Sequence, residues 1–212
     1  MKTQVLKVAV DRIESSKIAQ IISALKKDKL VIYPTETFYG LGANCFSERA
    51  VAKIYRLKQR DGDKPLSVIV SGMDMVEEVT LERPVLFYSL SSQFWPGPLT
   101  IVLKASEKFP EHITGPSKTI GIRWPDHKWL NVLVEKAGFP ITATSANLSG
   151  AKEISSPKEA FNVFNGKVDL LIEGGETKGK LPSTVISLVS GRLKILRQGA
   201  VSEEELKPFL YV

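Results

Sequence analysis

Short apolar runs rich in β-branched residues alternate with stretches whose apolar positions recur at helical spacing. The runs predict strands over 30–34, 67–71, 99–105, 119–123, 140–145, 168–173, 183–189 and 192–197. The helix-period stretches predict helices over 15–28, 47–58, 84–94, 126–137, 156–163 and 202–209. Ser47 stands where an N-cap belongs, with Ala50, Val51 and Ile54 following on one face. Ser156 and Glu159 have the spacing of a capping box. Helices and strands are interspersed, and the last two strands are adjacent. That order predicts an α/β fold with a mixed sheet, not an unbroken βαβ array. No internal repeat, low-complexity tract or Pro/Gly linker divides the 212 residues, so one domain over 1–212 is expected.

Cysteine usage narrows the chemistry. Cys45 stands alone, which rules out an intramolecular disulfide and a Cys-rich zinc site. No apolar run approaches the roughly 18 residues of a membrane span. The first residues, MKTQVLKVAVDRIESSK, lack the long apolar core and cleavage site of a signal peptide. A cytoplasmic protein with no membrane contact is expected. Twenty-nine Lys and Arg against 23 Asp and Glu leave a net charge of +6. This balance suits anionic partners such as a nucleotide, phosphate or RNA, and it equally describes a solvated lysine surface.

Several catalytic kits are missing. HExxH, GxSxG and GxGxxG do not occur, which leaves a zinc protease, an α/β-hydrolase elbow and a dinucleotide fold without support. His127, behind Pro125 and Asp126, reads as part of a helix-entry turn ahead of a general base. Cys45 reads as a buried small hydrophobe ahead of a nucleophile. Residues 174–180, GGETKGK, match the core of a phosphate-binding P-loop. The next residues are Leu181 and Pro182, where that loop needs Ser or Thr and then a helix. A Gly/Lys loop between two strands is the better reading.

Three stretches carry candidate chemistry. Residues 33–42, YPTETFYGLG, follow a strand that Pro34 stops. Thr35 and Thr37 offer hydroxyls, and two glycines permit close backbone approach. The stretch reads either as a cradle for a small polar ligand or as a well-made turn. Residues 58–65, KQRDGDKP, put three cations on a Gly-containing loop at a helix exit. They suit phosphate, or they complement a helix C-terminus. Residues 142–150, TATSANLSG, end a β-prone run in a Ser-x-Asn turn with small neighbours, which leaves room for a ligand or makes a local Asx turn. Arg123 and Arg197 stand at strand ends, and Ser183 at a strand start.

Together these segments resemble the YrdC-like family, the threonylcarbamoyl-AMP synthases of tRNA modification. The resemblance rests on YPTETFYGLG, the K-x-R of Lys58 and Arg60 with KPL behind it, FWPGPLTIVL, TIGIRWPDH, ATSANLSG, PSTVI and ILRQGA. These stand in family order over roughly residues 15 to 200. The resemblance implies a twisted mixed sheet with flanking helices around a large positively charged cavity, in the single-domain form. It implies a nucleotidyltransferase that joins L-threonine, bicarbonate and ATP into threonylcarbamoyl-AMP and pyrophosphate, with Mg²⁺ arriving on ATP. The product then passes to a tRNA-modifying transferase complex that acts at adenosine 37.

Residue by residue, the resemblance assigns Lys58 and Arg60 to the ATP phosphates as the catalytic cations. Thr119, Ser145, Asn147 and Arg197 complete the nucleotide set. Thr35, Arg123, Ala143 and Ser183 form the threonine set, with Arg123 as carboxylate clamp. Many members have proline after the K-x-R arginine, where this chain has Asp61. Chemistry agrees with this reading. A carbamate must attack the α-phosphate of ATP, so two anions must meet. Cations and amides offset that repulsion more effectively than a histidine or a thiol could. The rivals are a catalytically divergent relative and a basic protein that contacts tRNA or double-stranded RNA. The second lacks any RNP-type aromatic run.

Overall fold

A single mixed sheet is expected from the sequence, and the computed structural model has two. It describes residues 2–12, 14–62, 64–148 and 150–210; Asp63 and Ser149, from the second and third candidate stretches, lie outside the described residues. The first half of the chain forms β1 (Gln4–Lys7), α1 (Ser15–Lys26), β2 (Val31–Tyr33), β3 (Gly40–Gly42), α2 (Glu48–Lys58), β4 (Ser67–Ile69), α3 (Met73–Val79), α4 (Val85–Phe94) and β5 (Leu99–Lys104). The second half forms α5 (Glu111–Thr114), β6 (Thr119–Arg123), α6 (Lys128–Ala137), β7 (Ile141–Thr142), β8 (Thr144–Ser145), α7 (Pro157–Phe164) and β9 (Leu170–Glu173). It closes with β10 (Thr184–Ser187), β11 (Lys194–Arg197), α8 (Glu203–Leu206) and a 3₁₀ turn over Lys207–Phe209.

One sheet runs β1-β9-β2-β3-β8 and the other β11-β10-β5-β6-β4-β7. The expected strand over 140–145 is cut at Ala143, so that β7 joins the larger sheet and β8 the smaller. The amide of Ala143 marks the crossing, donating to the Ser67 carbonyl at 2.6 Å. The adjacent late strands β10 and β11 pair antiparallel, as their spacing implies.

Period-two alternation gives the larger sheet two different faces. Val68, Leu99, Ile101, Leu103, Ile120, Ile122 and Ile186 point to a core shared with Ile54, Val76, Phe87 and Leu90 of the helices. The alternate residues Ser67, Ile69, Thr100, Val102, Thr119, Gly121, Arg123 and Val185 floor a cavity. Val31 and Tyr33 of the smaller sheet pack with α1 through Ile18, Ile21 and Leu25, and with α6 through Trp129, Leu130 and Leu133.

The caps explain where helices start. Ser47 caps α2 by accepting from the Ala50 amide. His127 caps α6 through Nδ1, which accepts from Leu130. The helix-entry reading of His127 therefore holds. Ser156 precedes α7 but makes no side-chain cap bond, so the expected box with Glu159 does not form. The box is found instead at Ser202 and Glu205 on α8. Cys45 is fully buried, and burial pushes its thiol up, which removes it as a nucleophile. Among the described residues no helix is long and apolar enough to cross a membrane.

Candidate active site

The cavity has a volume of about 440 Å³, within the range of small-molecule sites. Both sheets and six connecting segments contribute to it. Of the ten residues singled out in the sequence, Thr35, Arg60, Thr119, Arg123, Ala143, Ser145, Ser183 and Arg197 line it. Lys58 and Asn147 do not appear on its wall; they lie directly behind Ser145.

Lys58 is the last residue of α2 and is almost fully buried. Its ammonium donates to the Ser145 carbonyl at 2.5 Å, the Asn147 carbonyl at 2.7 Å and Asn147 Oδ1 at 3.0 Å. Three donors meet three acceptors, so the buried charge is matched by hydrogen bonds. Ser145 Oγ also donates to Asn147 Oδ1 at 2.6 Å, and Asn147 Nδ2 donates to the Ala151 carbonyl at 2.5 Å. The K-x-R lysine thus pins the Ser-x-Asn turn. Burial, aided by repulsion from Arg60, pushes Lys58 down to about 8. Arg60 itself bonds the carbonyls of Lys64 and Pro65 at 3.2 and 2.9 Å and reaches the cavity.

On the cavity floor Arg123 is buried at the end of β6. Its Nη2 donates to Glu36 Oε1 at 2.6 Å and to Thr37 Oγ1 at 3.1 Å. The Thr35 hydroxyl accepts from the amides of Thr37 and Phe38 and donates to the Phe38 carbonyl at 2.7 Å. It therefore shapes the loop as well as facing the cavity. Ala143 has its amide engaged with the Ser67 carbonyl, and it lines the cavity. Arg197 reaches back from β11 to the Ser183 carbonyl at 2.8 Å and Oγ at 3.2 Å, and Ser183 Oγ shares a bond with Thr100 at 2.9 Å. Burial lowers the Arg197 guanidinium from its ordinary value, and Glu153, which also lines the cavity, opposes that shift.

Small residues make room in specific ways. Gly40 and Gly42 are required by a neighbour within the fold: a Cβ on Gly40 would lie 2.7 Å from Tyr33 Cζ, and one on Gly42 2.6 Å from Tyr33 Cε1. The ring of Tyr33 covers both, and its hydroxyl donates to the Thr142 carbonyl at 2.8 Å. Gly179 rests on the backbone of Thr37, which holds the 174–182 loop against the Thr35–Thr37 wall. Tyr39 bonds the same loop at the Gly175 carbonyl, 2.6 Å away. That loop leads through Pro182 into β10, not into a helix, so the P-loop match has no structural basis. In FWPGPLT, Trp95 Nε1 bonds the Leu99 carbonyl at 2.8 Å, and the Gly97 amide bonds the Trp124 carbonyl at 2.8 Å. The segment buttresses β5 and β6 and leaves the cavity to Thr100.

Thr37, named with Thr35 as a hydroxyl of the 33–42 cradle, lines the cavity, while the sequence reading missed Glu36, Thr100 and Glu153 as site residues. Glu36 stands inside a stretch it singled out, and Thr100 follows the period-two pattern of β5. Glu153 carries no local signal.

Two mixed sheets that turn serine, threonine and arginine side chains into one shared cavity define an α/β ligand-binding fold. The chain belongs to the Sua5/YciO/YrdC family, whose model, described as "Telomere recombination", matches residues 23–199. The threonylcarbamoyl-AMP synthase of Pyrococcus abyssi is 40% identical over 197 residues, which span 93% of this chain and 58% of that protein. The threonylcarbamoyl-AMP synthase of Vibrio vulnificus strain YJ016 is 31% identical over 186 residues, 87% of this chain and 99% of that protein. The crystal structure of P. abyssi Sua5 complexed with L-threonine superimposes with a TM-score of 0.93 at 39% identity, over 99% of this chain and 61% of that one. Escherichia coli YciO superimposes with a TM-score of 0.89 at 28% identity, over 98% of this chain and 100% of that one. The chain thus spans little more than half the length of the P. abyssi relative and the whole of YciO.

Proposed function

We propose that this protein is a threonylcarbamoyl-AMP synthase that forms threonylcarbamoyl-AMP and pyrophosphate from L-threonine, bicarbonate and ATP. The product is destined for a tRNA-modifying transferase acting at adenosine 37. One observation carries this reading: eight residues from well-separated segments, assigned to two different substrates, line a single cavity. Chains that bear the synthase name match over most of this chain, and one relative of the same fold binds L-threonine.

The substrates divide the cavity between them. Arg123 takes the threonine carboxylate, with Thr35, Ser183 and Ala143 around the rest of the amino acid. Arg60, Thr119, Ser145 and Arg197 take the nucleotide. The threonine nitrogen bonds to the bicarbonate carbon to give the carbamate, which keeps one N–H, and one water and one proton leave. A carbamate oxygen then attacks the α-phosphorus, and the bond to the bridging oxygen of pyrophosphate breaks. Attacker and target are both anionic. Arginines in a confined site offset the repulsion and stabilise the charge that builds on the leaving pyrophosphate. Holding both reactants in one cavity supplies the proximity the step needs.

Mg²⁺ would travel on the ATP phosphates. Among the described residues no group of three or more His, Cys, Asp and Glu side chains is placed to hold a metal. This donor set does not fit a protein-built site, and no step here is assigned to one.

The test is pyrophosphate release by the purified protein with ATP, Mg²⁺, bicarbonate and L-threonine, each omitted in turn. Release that needs both threonine and bicarbonate is expected. Release that needs neither would overturn the proposal.

A further inference from the structure

Among the described ion pairs, Arg123 is the only cavity-lining arginine that carries a carboxylate. Glu36 Oε1 lies 2.6 Å from Arg123 Nη2, with the two side chains 20% and 10% exposed. Arg60 and Arg197 are instead held by neutral oxygens: the carbonyls of Lys64 and Pro65 for one, and Ser183 for the other.

The pairing is one-sided. Nη2 gives both of its protons away, one to Glu36 and one to Thr37. Arg123 Nε and Glu36 Oε2 are both buried without a partner, so the two groups do not close a bidentate fork. Among the described hydrogen bonds Nη1 has none, and it is not one of the buried unpartnered atoms. It is the nitrogen left for a ligand. At the Tyr33 hydroxyl Arg123 and Glu36 act in opposite directions, so on that side the carboxylate offsets the guanidinium, whereas towards Arg197 the Arg123 charge still acts as a cation.

A guanidinium whose charge is partly offset by a carboxylate distinguishes between anions. A zwitterionic amino acid carries no net charge and needs one oriented donor for its carboxylate. A triphosphate or pyrophosphate carries several negative charges and gains most from arginines whose field is not cancelled. Among the described ion pairs Arg123 alone of the three cavity arginines has a carboxylate at ion-pair distance, while Glu153, which also lines the cavity, bears on Arg197 from further off. We infer that Glu36 is a specificity-determining residue, acting through Arg123, that excludes polyphosphate from the amino-acid end of the cavity. Discrimination here rests on a built-in repulsion as well as on attraction to the correct ligand. The inference rests on the division of the cavity given above for the amino acid and the nucleotide.

The test uses the full chain and inorganic pyrophosphate as probe, without nucleotide. Pyrophosphate binding is measured by calorimetry for wild type, Glu36→Gln, Glu36→Asp and the double variant Glu36→Gln/Arg123→Gln. Wild type is expected to bind one pyrophosphate. Glu36→Gln is expected to gain a second site, or to tighten by roughly tenfold or more. Glu36→Asp keeps the carboxylate and should behave as wild type. The double variant should lose the gain. Threonine titrations add an independent readout: pyrophosphate should raise the apparent Kd for threonine in Glu36→Gln and leave it unchanged in wild type. Pyrophosphate binding by Glu36→Gln that equals wild type, in a variant whose circular dichroism matches wild type, would overturn the inference. If Glu36→Gln fails to fold, Glu36→Asp and Glu36→Ala carry the same comparison, and identical pyrophosphate binding by wild type and whichever carboxylate-free variant folds overturns it. Failure of wild type to bind threonine at all would count against the proposed function and leaves the pyrophosphate comparison to decide this inference by itself.

Discussion

The ammonium of Lys58 lies 2.5 Å from the main-chain carbonyl oxygen of Ser145, and from the same position it holds both oxygens of Asn147. The end of a helix is thereby locked to the turn after β8, and the cavity inherits the position of Ser145 from that lock. A point charge with three rotatable donors suits three converging acceptors, whereas the planar fork of arginine does not. Lys58→Arg is therefore expected to fail as Lys58→Met does. In both variants hydrogen exchange at the Asn147 and Ala151 amides should quicken by roughly tenfold or more as the turn loosens, and pyrophosphate release should fall. Recovery of activity in Lys58→Arg would show that only its charge matters.

The same lysine sets a pH dependence. Burial pushes Lys58 down to about 8, from the ordinary 10.5. Between those values the unfolded chain holds a proton that the folded protein has released, so this group's contribution to stability rises with pH across that window. Urea unfolding of wild type and Lys58→Met should show a difference in stability that shifts towards wild type from about pH 8 upward. Activity should move the other way: above about pH 8 the cation behind Ser145 is lost and the KM for ATP rises. A stability difference that is flat from pH 7 to 10 would contradict the assignment.

The arginines should separate by substrate. Removing one preorganised donor to developing charge costs about 2.7–4 kcal/mol of transition-state stabilisation. Arg60→Ala is expected to lower kcat/KM by that amount, with most of the loss in kcat or in ATP saturation. Arg123→Ala should act chiefly on the KM for threonine. Steady-state pyrophosphate release with each substrate varied separates the two cases.

Gly179 lies against the Thr37 backbone, where a methyl group would collide. Gly179→Ala must push the 174–182 loop away from the wall that carries Thr35, Thr37 and, through them, Arg123. A stability loss of about 1–3 kcal/mol, together with weaker threonine binding, is expected from thermal unfolding and threonine titration. A neutral outcome in both would show that the loop moves without consequence.

The parts of the fold legible in the sequence were those with strong periodicity. Thr119–Arg123 was read to the residue because its β-branched run is bounded by turn residues. The helix ending at Lys58 was read from its cap and its apolar face. Gly40–Gly42 was not read as a strand, since glycine disfavours one; it pairs because Tyr33 on the neighbouring strand fills the space the glycines leave. Gln4–Lys7 is an edge strand with little burial, so its pattern is weak. Met73–Val79 and Glu111–Thr114 are too short to show helical periodicity. At the site, residue types were legible but their relations were not. That Lys58 would face Asn147, and Glu36 would face Arg123, depends on contacts 89 and 87 residues apart in the chain.

The most direct test is to follow labelled bicarbonate. The purified protein is incubated with ATP, Mg²⁺, L-threonine and ¹⁴C-bicarbonate, and nucleotides are separated rapidly to preserve a labile product. The account predicts label in an adenylate whose mass equals AMP plus a threonylcarbamoyl group, absent when threonine is omitted. Pyrophosphate formed with no label in any adenylate, by a protein that binds both ATP and threonine, would contradict it.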